Sequence, residues 1–141
     1  MKKITSILTF AMIATLIFSC KKETIAPPDI TGNWIWLSTF TGGASSPENP
    51  LTPINAGYTQ FLAFSNNNWT LARNNLTVSN GTYSIAFAKS IDGRTINAIH
   101  FYRSNAPIGS VTYYSISNDI LTFSYDISGS LGSGATNYKR K

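Results

Sequence analysis

The sequence is poor in the side chains that carry most enzyme chemistry. It has one cysteine, Cys20, and one histidine, His100, in 141 residues. A single cysteine cannot form a disulfide within the chain. Metal sites are built from clustered His, Cys, Asp and Glu side chains, and a serine nucleophile needs a neighbouring base. There is also no glycine-rich phosphate loop, so we predict no enzyme activity, no metal site and no cofactor.

Charge is scarce as well. Charged residues make up 12% of the chain, whereas an average soluble domain has about 25%. The 11 basic and 6 acidic residues give a formal net charge of +5. Several of the basic residues are scattered through the body of the chain: Arg73, Lys89, Arg94 and Arg103. Nucleic-acid-binding proteins carry a dense basic stripe instead, so we predict no nucleic-acid partner.

The first residues have the composition of a secretory signal peptide. Lys2 and Lys3 form a positive start, and residues 4–18 contain no charge. This apolar run is close to the ~7–15 residues of a signal peptide core and shorter than the ~20 that a membrane-spanning helix needs. We therefore predict that residues 1–19 are a signal peptide.

The end of this run resembles a bacterial lipobox, with Ile17 at position −3, Ser19 at −1 and Cys20 at +1. The resemblance implies cleavage after Ser19, a diacylglycerol on the Cys20 sulfur and an acylated amino group. Three acyl chains anchor stably, since each buried CH₂ contributes about 0.8 kcal/mol. The alternative is an uncleaved signal anchor with an inert cysteine. Lys21 stands where many inner-membrane lipoproteins have Asp, so the resemblance favours the outer membrane, with the side it faces left open.

Residues 20–30 are predicted to be a lipidated tether, because Pro27 and Pro28 favour extended backbone in a polar segment. Residues 31–141 are predicted to form one all-β domain. Thr, Tyr, Phe, Ile and Trp are abundant, and no long stretch has the helical period. Short alternating runs predict about eight strands, at residues 33–40, 58–64, 69–73, 82–87, 95–102, 110–116, 120–126 and 135–140.

The connections between these strands contain turn-forming residues. Asn80-Gly81 is predicted to be a hairpin turn, since both residue types accept positive φ. Residues 41–57 and 128–134 are predicted to be longer loops. Short connections favour antiparallel pairing of sequential strands, and closure removes the two exposed edges. We therefore predict an antiparallel up-and-down β-barrel.

The segment Thr31-Gly32-Asn33-Trp34 resembles the opening of a lipocalin-like (calycin) domain, whose Gly-x-Trp motif corresponds to Gly32-Asn33-Trp34. Residues 69–85 and 114–123 also resemble small bacterial lipocalin-like lipoproteins, although the paired cysteines of lipocalins are absent. The resemblance implies that Trp34 closes one end of the barrel beneath an arginine of the last strand, best matched by Arg140. Such an aromatic–guanidinium stack contributes about 0.5–2 kcal/mol, which makes Gly32, Trp34 and Arg140 structural residues.

Aromatic residues make up 13% of the chain and allow two interpretations. They either line a pocket for a small apolar ligand or fill a narrow barrel. The candidates for ligand contact are Trp36, Tyr58, His100 and Tyr102. We predict a non-enzymatic, membrane-anchored, lipocalin-like binding protein whose opening lies at the end with residues 41–57. The alternative is an envelope accessory that binds or inhibits another protein through an exposed loop. The oligomeric state is left open.

Overall fold

The computed structural model describes residues 26–41, 49–90, 92–109, 111–124 and 134–141. Cys20, the predicted signal peptide and most of the predicted tether lie outside the described residues. The described residues form one short helix, α1 (Pro53–Ala56), and nine strands. The strands are β1 (Gly32–Phe40), β2 (Gln60–Ser65), β3 (Asn68–Arg73), β4 (Leu76–Lys89), β5 (Thr95–Arg103), β6 (Ala106–Pro107), β7 (Thr112–Ser117), β8 (Ile120–Ser124) and β9 (Ala135–Arg140). No helix in these ranges is long and apolar enough to cross a membrane.

The sheet closes on itself. Its strand order is β4-β3-β2-β1-β9-β8-β7-β5-β6, and β4 also pairs with β5. All the pairings are antiparallel, and β6 adds only two residues beside the end of β5. The predicted fold, an antiparallel up-and-down barrel of about eight strands, is confirmed.

Asparagine-rich turns join several of the strands. In four two-residue turns both residues have φ between 47° and 66°. They are Asn66-Asn67, Asn74-Asn75, Ser104-Asn105 and Asn118-Asp119. Turns with two positive φ values match the twist of paired strands, and Asn and Asp tolerate this conformation better than most residues. The local chemistry of asparagine thus sets the register of these hairpins.

The prediction of a turn at Asn80-Gly81 is wrong. Both residues lie within the 14-residue strand β4, which pairs with β3 before Thr82 and with β5 after it. A Cβ atom on Gly81 would lie 1.8 Å from the carbonyl oxygen of Tyr102. Glycine is therefore required by the close approach of two strands, where β4 passes from one neighbour to the other.

The two ends of the barrel differ in what lies across them. The N-terminal end carries the start of β1 and the turns at Asn66-Asn67 and Asn118-Asp119. The helix end carries α1 and the turns at Asn74-Asn75 and Ser104-Asn105, because strand direction alternates. Buried side chains fill the space between the two ends: Ile30, Trp34, Trp36, Leu62, Phe64, Trp69, Tyr83, Ile99, Tyr114, Leu121, Phe123 and Tyr138.

Candidate functional site

The N-terminal end is closed by a stack of Arg140 on Trp34. The guanidinium carbon lies 4.3 Å from the ring centroid, and Trp34 is completely buried. Arg140 also donates hydrogen bonds to the carbonyl oxygens of Thr31 (2.8 Å) and Asp29 (3.1 Å). Gly32 has a φ of 119° and would place a Cβ 3.2 Å from the guanidinium. The three residues that the resemblance marked as structural therefore meet at one point.

The last residues of the predicted tether belong to this closure. Ile30 is only 1% exposed, and its carbonyl oxygen accepts a hydrogen bond of 2.8 Å from Nε1 of Trp34. Hydrogen bonds from Thr31, and then the charge of Arg140, lower the pKa of Asp29. Ile30, the last residue of the predicted tether, thus packs into the barrel.

A cavity of about 240 Å³ lies among the barrel's inner side chains. Its wall consists of seven apolar or aromatic side chains and one threonine: Leu62, Trp69, Leu71, Phe101, Ile108, Phe123, Tyr138 and Thr112. Phe101 stands edge-on to Trp69 and to Phe123, with centroid distances of 5.3 and 6.0 Å. The volume is below the roughly 300–1,000 Å³ of pockets for drug-sized ligands, so it suits a smaller apolar group.

One residue of the cavity wall, Trp69, has a buried polar atom without a hydrogen-bond partner among the described residues. Trp69 is 7% exposed, and its buried Nε1 finds no hydrogen-bond acceptor among the described residues. A buried donor left unpaired costs about 1–3 kcal/mol. No described residue therefore compensates for the desolvation of the Trp69 N–H group.

A chain of polar side chains leads from this cavity to the helix end. The hydroxyl of Tyr138 accepts a hydrogen bond of 2.7 Å from Nε2 of Gln60, and Oε1 of Gln60 accepts one of 3.0 Å from Nε of Arg73. The guanidinium carbon of Arg73 lies 4.7 Å from the ring centroid of Tyr58. Tyr58 stacks on Trp36 at 5.3 Å. Two predicted ligand candidates, Trp36 and Tyr58, thus lie beside the cavity rather than in its wall.

The other two predicted candidates lie on the outer face of β5. Ile99 is fully buried and Phe101 lines the cavity, so alternation turns His100 and Tyr102 outward. The Tyr102 hydroxyl lies 3.4 Å from Oγ of Ser84, the residue paired with His100. This strand contributes Phe101 to the cavity instead, which corrects the choice of face. No cluster of three His, Cys, Asp or Glu side chains that could hold a metal occurs in the described part of the chain.

Comparison with known proteins gives little further information. No protein-family model matches the sequence, and no curated protein matches it. Among solved structures, the chain is similar to the Schistosoma mansoni fatty acid binding protein in complex with arachidonic acid. The TM-score is 0.36 and the identity 13%, over 79% of this chain and 95% of the other. So distant a likeness does not indicate what the present barrel binds.

Proposed function

We propose that the protein is a non-enzymatic, lipid-anchored binding protein that holds a small apolar ligand in its barrel. The observation that carries the proposal is the cavity of about 240 Å³ with its almost entirely apolar wall. Burial of apolar surface is favourable by about 25 cal/mol per Å². A ligand that fills this space replaces a void with contacts.

The difference between the two ends supports the proposal. Trp34, Arg140 and Ile30 pack together at the N-terminal end, and none of the three belongs to the cavity wall. Leu71 and Ile108, which line the cavity, lie next to connections at the helix end. We infer that the ligand enters from this end, away from the segment that leads back to Cys20.

A matched pair of variants tests the binding site. Leu71→Trp places a larger side chain in the cavity, whereas Leu76→Trp changes an exposed residue of β4 that is outside the wall. In calorimetric titrations with 1-octanol, we expect binding to the unmodified protein and to Leu76→Trp, and none to Leu71→Trp. Equal binding to both variants, or no binding to any of the three proteins, contradicts the proposal.

Native mass spectrometry of protein purified from its own envelope tests the same proposal without a chosen probe. A co-purifying small molecule that is missing from Leu71→Trp supports a ligand-binding barrel. A stoichiometric protein partner that both variants retain supports the alternative, an envelope accessory that acts through its surface.

The anchor is a separate part of the proposal, and it rests on the lipobox that ends at Cys20. Mass spectrometry of the N-terminal peptide, after expression in a Gram-negative host, is expected to find acylated Cys20 as the first residue. Cys20→Ser should remain uncleaved and unacylated. In fractionated envelopes, Lys21→Asp is expected to move the protein from the outer to the inner membrane. An unmodified Cys20 in the membrane fraction contradicts the anchor.

A further inference from the structure

The wall of the cavity carries no charged side chain. Apart from Thr112, the side chains that line it are apolar or aromatic. An ionised group that enters an apolar space without a partner loses its hydration and gains little in return. Arg73, which lies beyond the wall, is exposed and donates a hydrogen bond to Gln60. The cavity therefore favours an uncharged occupant.

The side chain of Thr112 supplies a hydroxyl that a molecule in the cavity can reach. Thr112 is 8% exposed, and its Oγ1 makes no hydrogen bond with any residue in the described ranges. The other hydroxyl of the wall, on Tyr138, accepts a hydrogen bond from Gln60. Nε1 of Trp69 also has no partner among the described residues, but it is completely buried. Oγ1 of Thr112 is not sealed in this way, so it is open to a ligand.

Strand pairing fixes the direction in which Thr112 points. Thr112 pairs with Ile99 across β5 and β7, and directly opposed residues lie on the same face of a sheet. Ile99 is fully buried, and Phe101, two residues further along this face of β5, lines the cavity together with Thr112. Thr112 is also the first residue of β7, at the helix end. Its hydroxyl therefore lies on the side from which we infer that the ligand enters.

Thr112 is an exception among the buried polar residues. In the described part of the chain these are Gln60, Thr112 and Thr136. Gln60 is bonded to Tyr138, and the hydroxyl of Thr136 lies 3.2 Å from that of Thr39. A buried hydroxyl without a partner costs free energy, and valine would have the same shape without this cost. Stability alone therefore does not account for a threonine at position 112.

We propose that the ligand is a small neutral molecule with one hydroxyl or carbonyl group, which hydrogen-bonds to Thr112 while its apolar part fills the cavity. This inference rests on the proposed function and adds the chemical class of the ligand. A threonine hydroxyl both donates and accepts, so alcohols and ketones both fit. An engineered apolar cavity of about 150 Å³ binds benzene. The present volume of about 240 Å³ therefore admits a benzene ring with a short polar substituent.

Two probes with the same number of non-hydrogen atoms test this inference: benzyl alcohol and ethylbenzene, titrated calorimetrically into the full mature protein at neutral pH. Thr112→Val removes the hydroxyl and keeps the shape of the side chain. We expect it to bind benzyl alcohol about fivefold more weakly, the ratio that one neutral hydrogen bond supplies, and to bind ethylbenzene at least as tightly as the unmodified protein. Thr112→Ser keeps the hydroxyl and should retain the ratio of the two affinities. Benzoate, the charged counterpart, should bind at least about tenfold more weakly than benzyl alcohol.

Thr136→Val is the matched control, because Thr136 is about as buried as Thr112 but lies outside the cavity wall and has a bonded hydroxyl. It should bind both probes like the unmodified protein. Urea denaturation without ligand gives an independent measurement. The midpoint should rise for Thr112→Val, since a methyl group replaces an unpaired hydroxyl, and should fall for Thr136→Val, since a hydrogen bond is lost.

Three results would each overturn the inference. They are an unchanged affinity of Thr112→Val for benzyl alcohol, benzoate that binds as tightly as benzyl alcohol, and a lower denaturation midpoint for Thr112→Val. The proposed function stands in each of these cases as long as ethylbenzene binds to the unmodified protein. If neither benzyl alcohol nor ethylbenzene binds to it, the proposed function fails and the inference with it.

Discussion

Each end of the barrel has an arginine on an aromatic ring, and the surroundings of the two arginines differ. At the N-terminal end, Arg140 lies 4.3 Å from the Trp34 centroid and donates to two backbone carbonyls. At the helix end, Arg73 lies 4.7 Å from the Tyr58 centroid and donates to the side chain of Gln60. The terminal nitrogens of Arg140 donate to the protein's own backbone, whereas those of Arg73 have no acceptor among the described residues.

The same contrast holds for two of the tryptophans. Nε1 of Trp34 donates to the carbonyl oxygen of Ile30, whereas Nε1 of Trp69 is buried without an acceptor in the described barrel. A satisfied group stabilises the fold, and an unsatisfied one costs free energy until something binds it. Trp69 pairs with Phe64, and Phe64 pairs with Gly32 at the start of β1. The two indoles therefore differ in their hydrogen bonding and not in the end of the barrel at which they lie.

The largest effect is expected for Trp34→Ala. This change removes a fully buried indole and the support for both Ile30 and Arg140, so we expect a loss of roughly 3–5 kcal/mol in the free energy of unfolding. Urea denaturation followed by circular dichroism measures it. Ile54→Ala, at a side chain that is 95% exposed, should change it by less than about 0.5 kcal/mol. Similar losses in the two variants would show that Trp34 does not hold the end closed.

The two arginines provide the next comparison. Arg140→Gln removes the stack on Trp34 and leaves the carbonyls of Thr31 and Asp29 without their donor, so a loss of about 2 kcal/mol is expected. Arg73→Gln removes one hydrogen bond to Gln60 and the stack on Tyr58. Because the side chain of Arg73 is exposed, we expect a smaller loss, of about 1 kcal/mol. Thermal and urea unfolding of both variants measure the difference. A larger loss for Arg73 would assign it a structural role and remove the contrast between the ends.

Local chemistry in the sequence is enough to predict much of the fold. Alternation identifies the strands. Closure of the sheet is favoured because it removes the two exposed edges that an open sheet would leave. The turn at Asn66-Asn67 fixes the register of β2 and β3, and with it the pairing of Gln60 with Arg73. The position of Arg73 beside Gln60 can therefore be predicted from the sequence, if the hairpin turn is combined with the alternation of inner and outer residues.

Two features could not be obtained from local patterns. Register shifts in β1 after Trp36 and between β3 and β4 after Leu71 reverse the faces. The residues skipped at these shifts, Leu37 in β1 and Val78 in β4, are exposed. In β5 both faces carry apolar residues, so the direction of His100 follows only from the complete burial of Ile99 and the place of Phe101 in the cavity wall. The cavity depends on these long-range registers.

A smaller effect is expected for Trp69→Phe. The change removes an unpaired donor together with part of the ring, and these two consequences oppose each other. We expect a change within about 1 kcal/mol, whereas Trp34→Phe, which loses a satisfied hydrogen bond, should cost about 1–2 kcal/mol more. Urea denaturation of the two variants measures the difference in their free energies of unfolding. Equal losses would mean that the Nε1 groups of the two tryptophans are in equivalent environments.

The smallest effect concerns Tyr114 at the N-terminal end. Burial, and then the charges of Tyr83 and Asp29, raise the pKa of Tyr114 to about 12, from about 10 in an unfolded chain. The folded state favours the protonated phenol, so its contribution to stability is complete below about pH 10 and is lost as the pH rises towards 12. Unfolding midpoints between pH 9 and 12 should fall less steeply for Tyr114→Phe than for the unmodified protein. Tyr113→Phe, at the neighbouring position of β7, is the control and should keep the steep fall; the same slope in all three proteins would contradict the assignment to Tyr114.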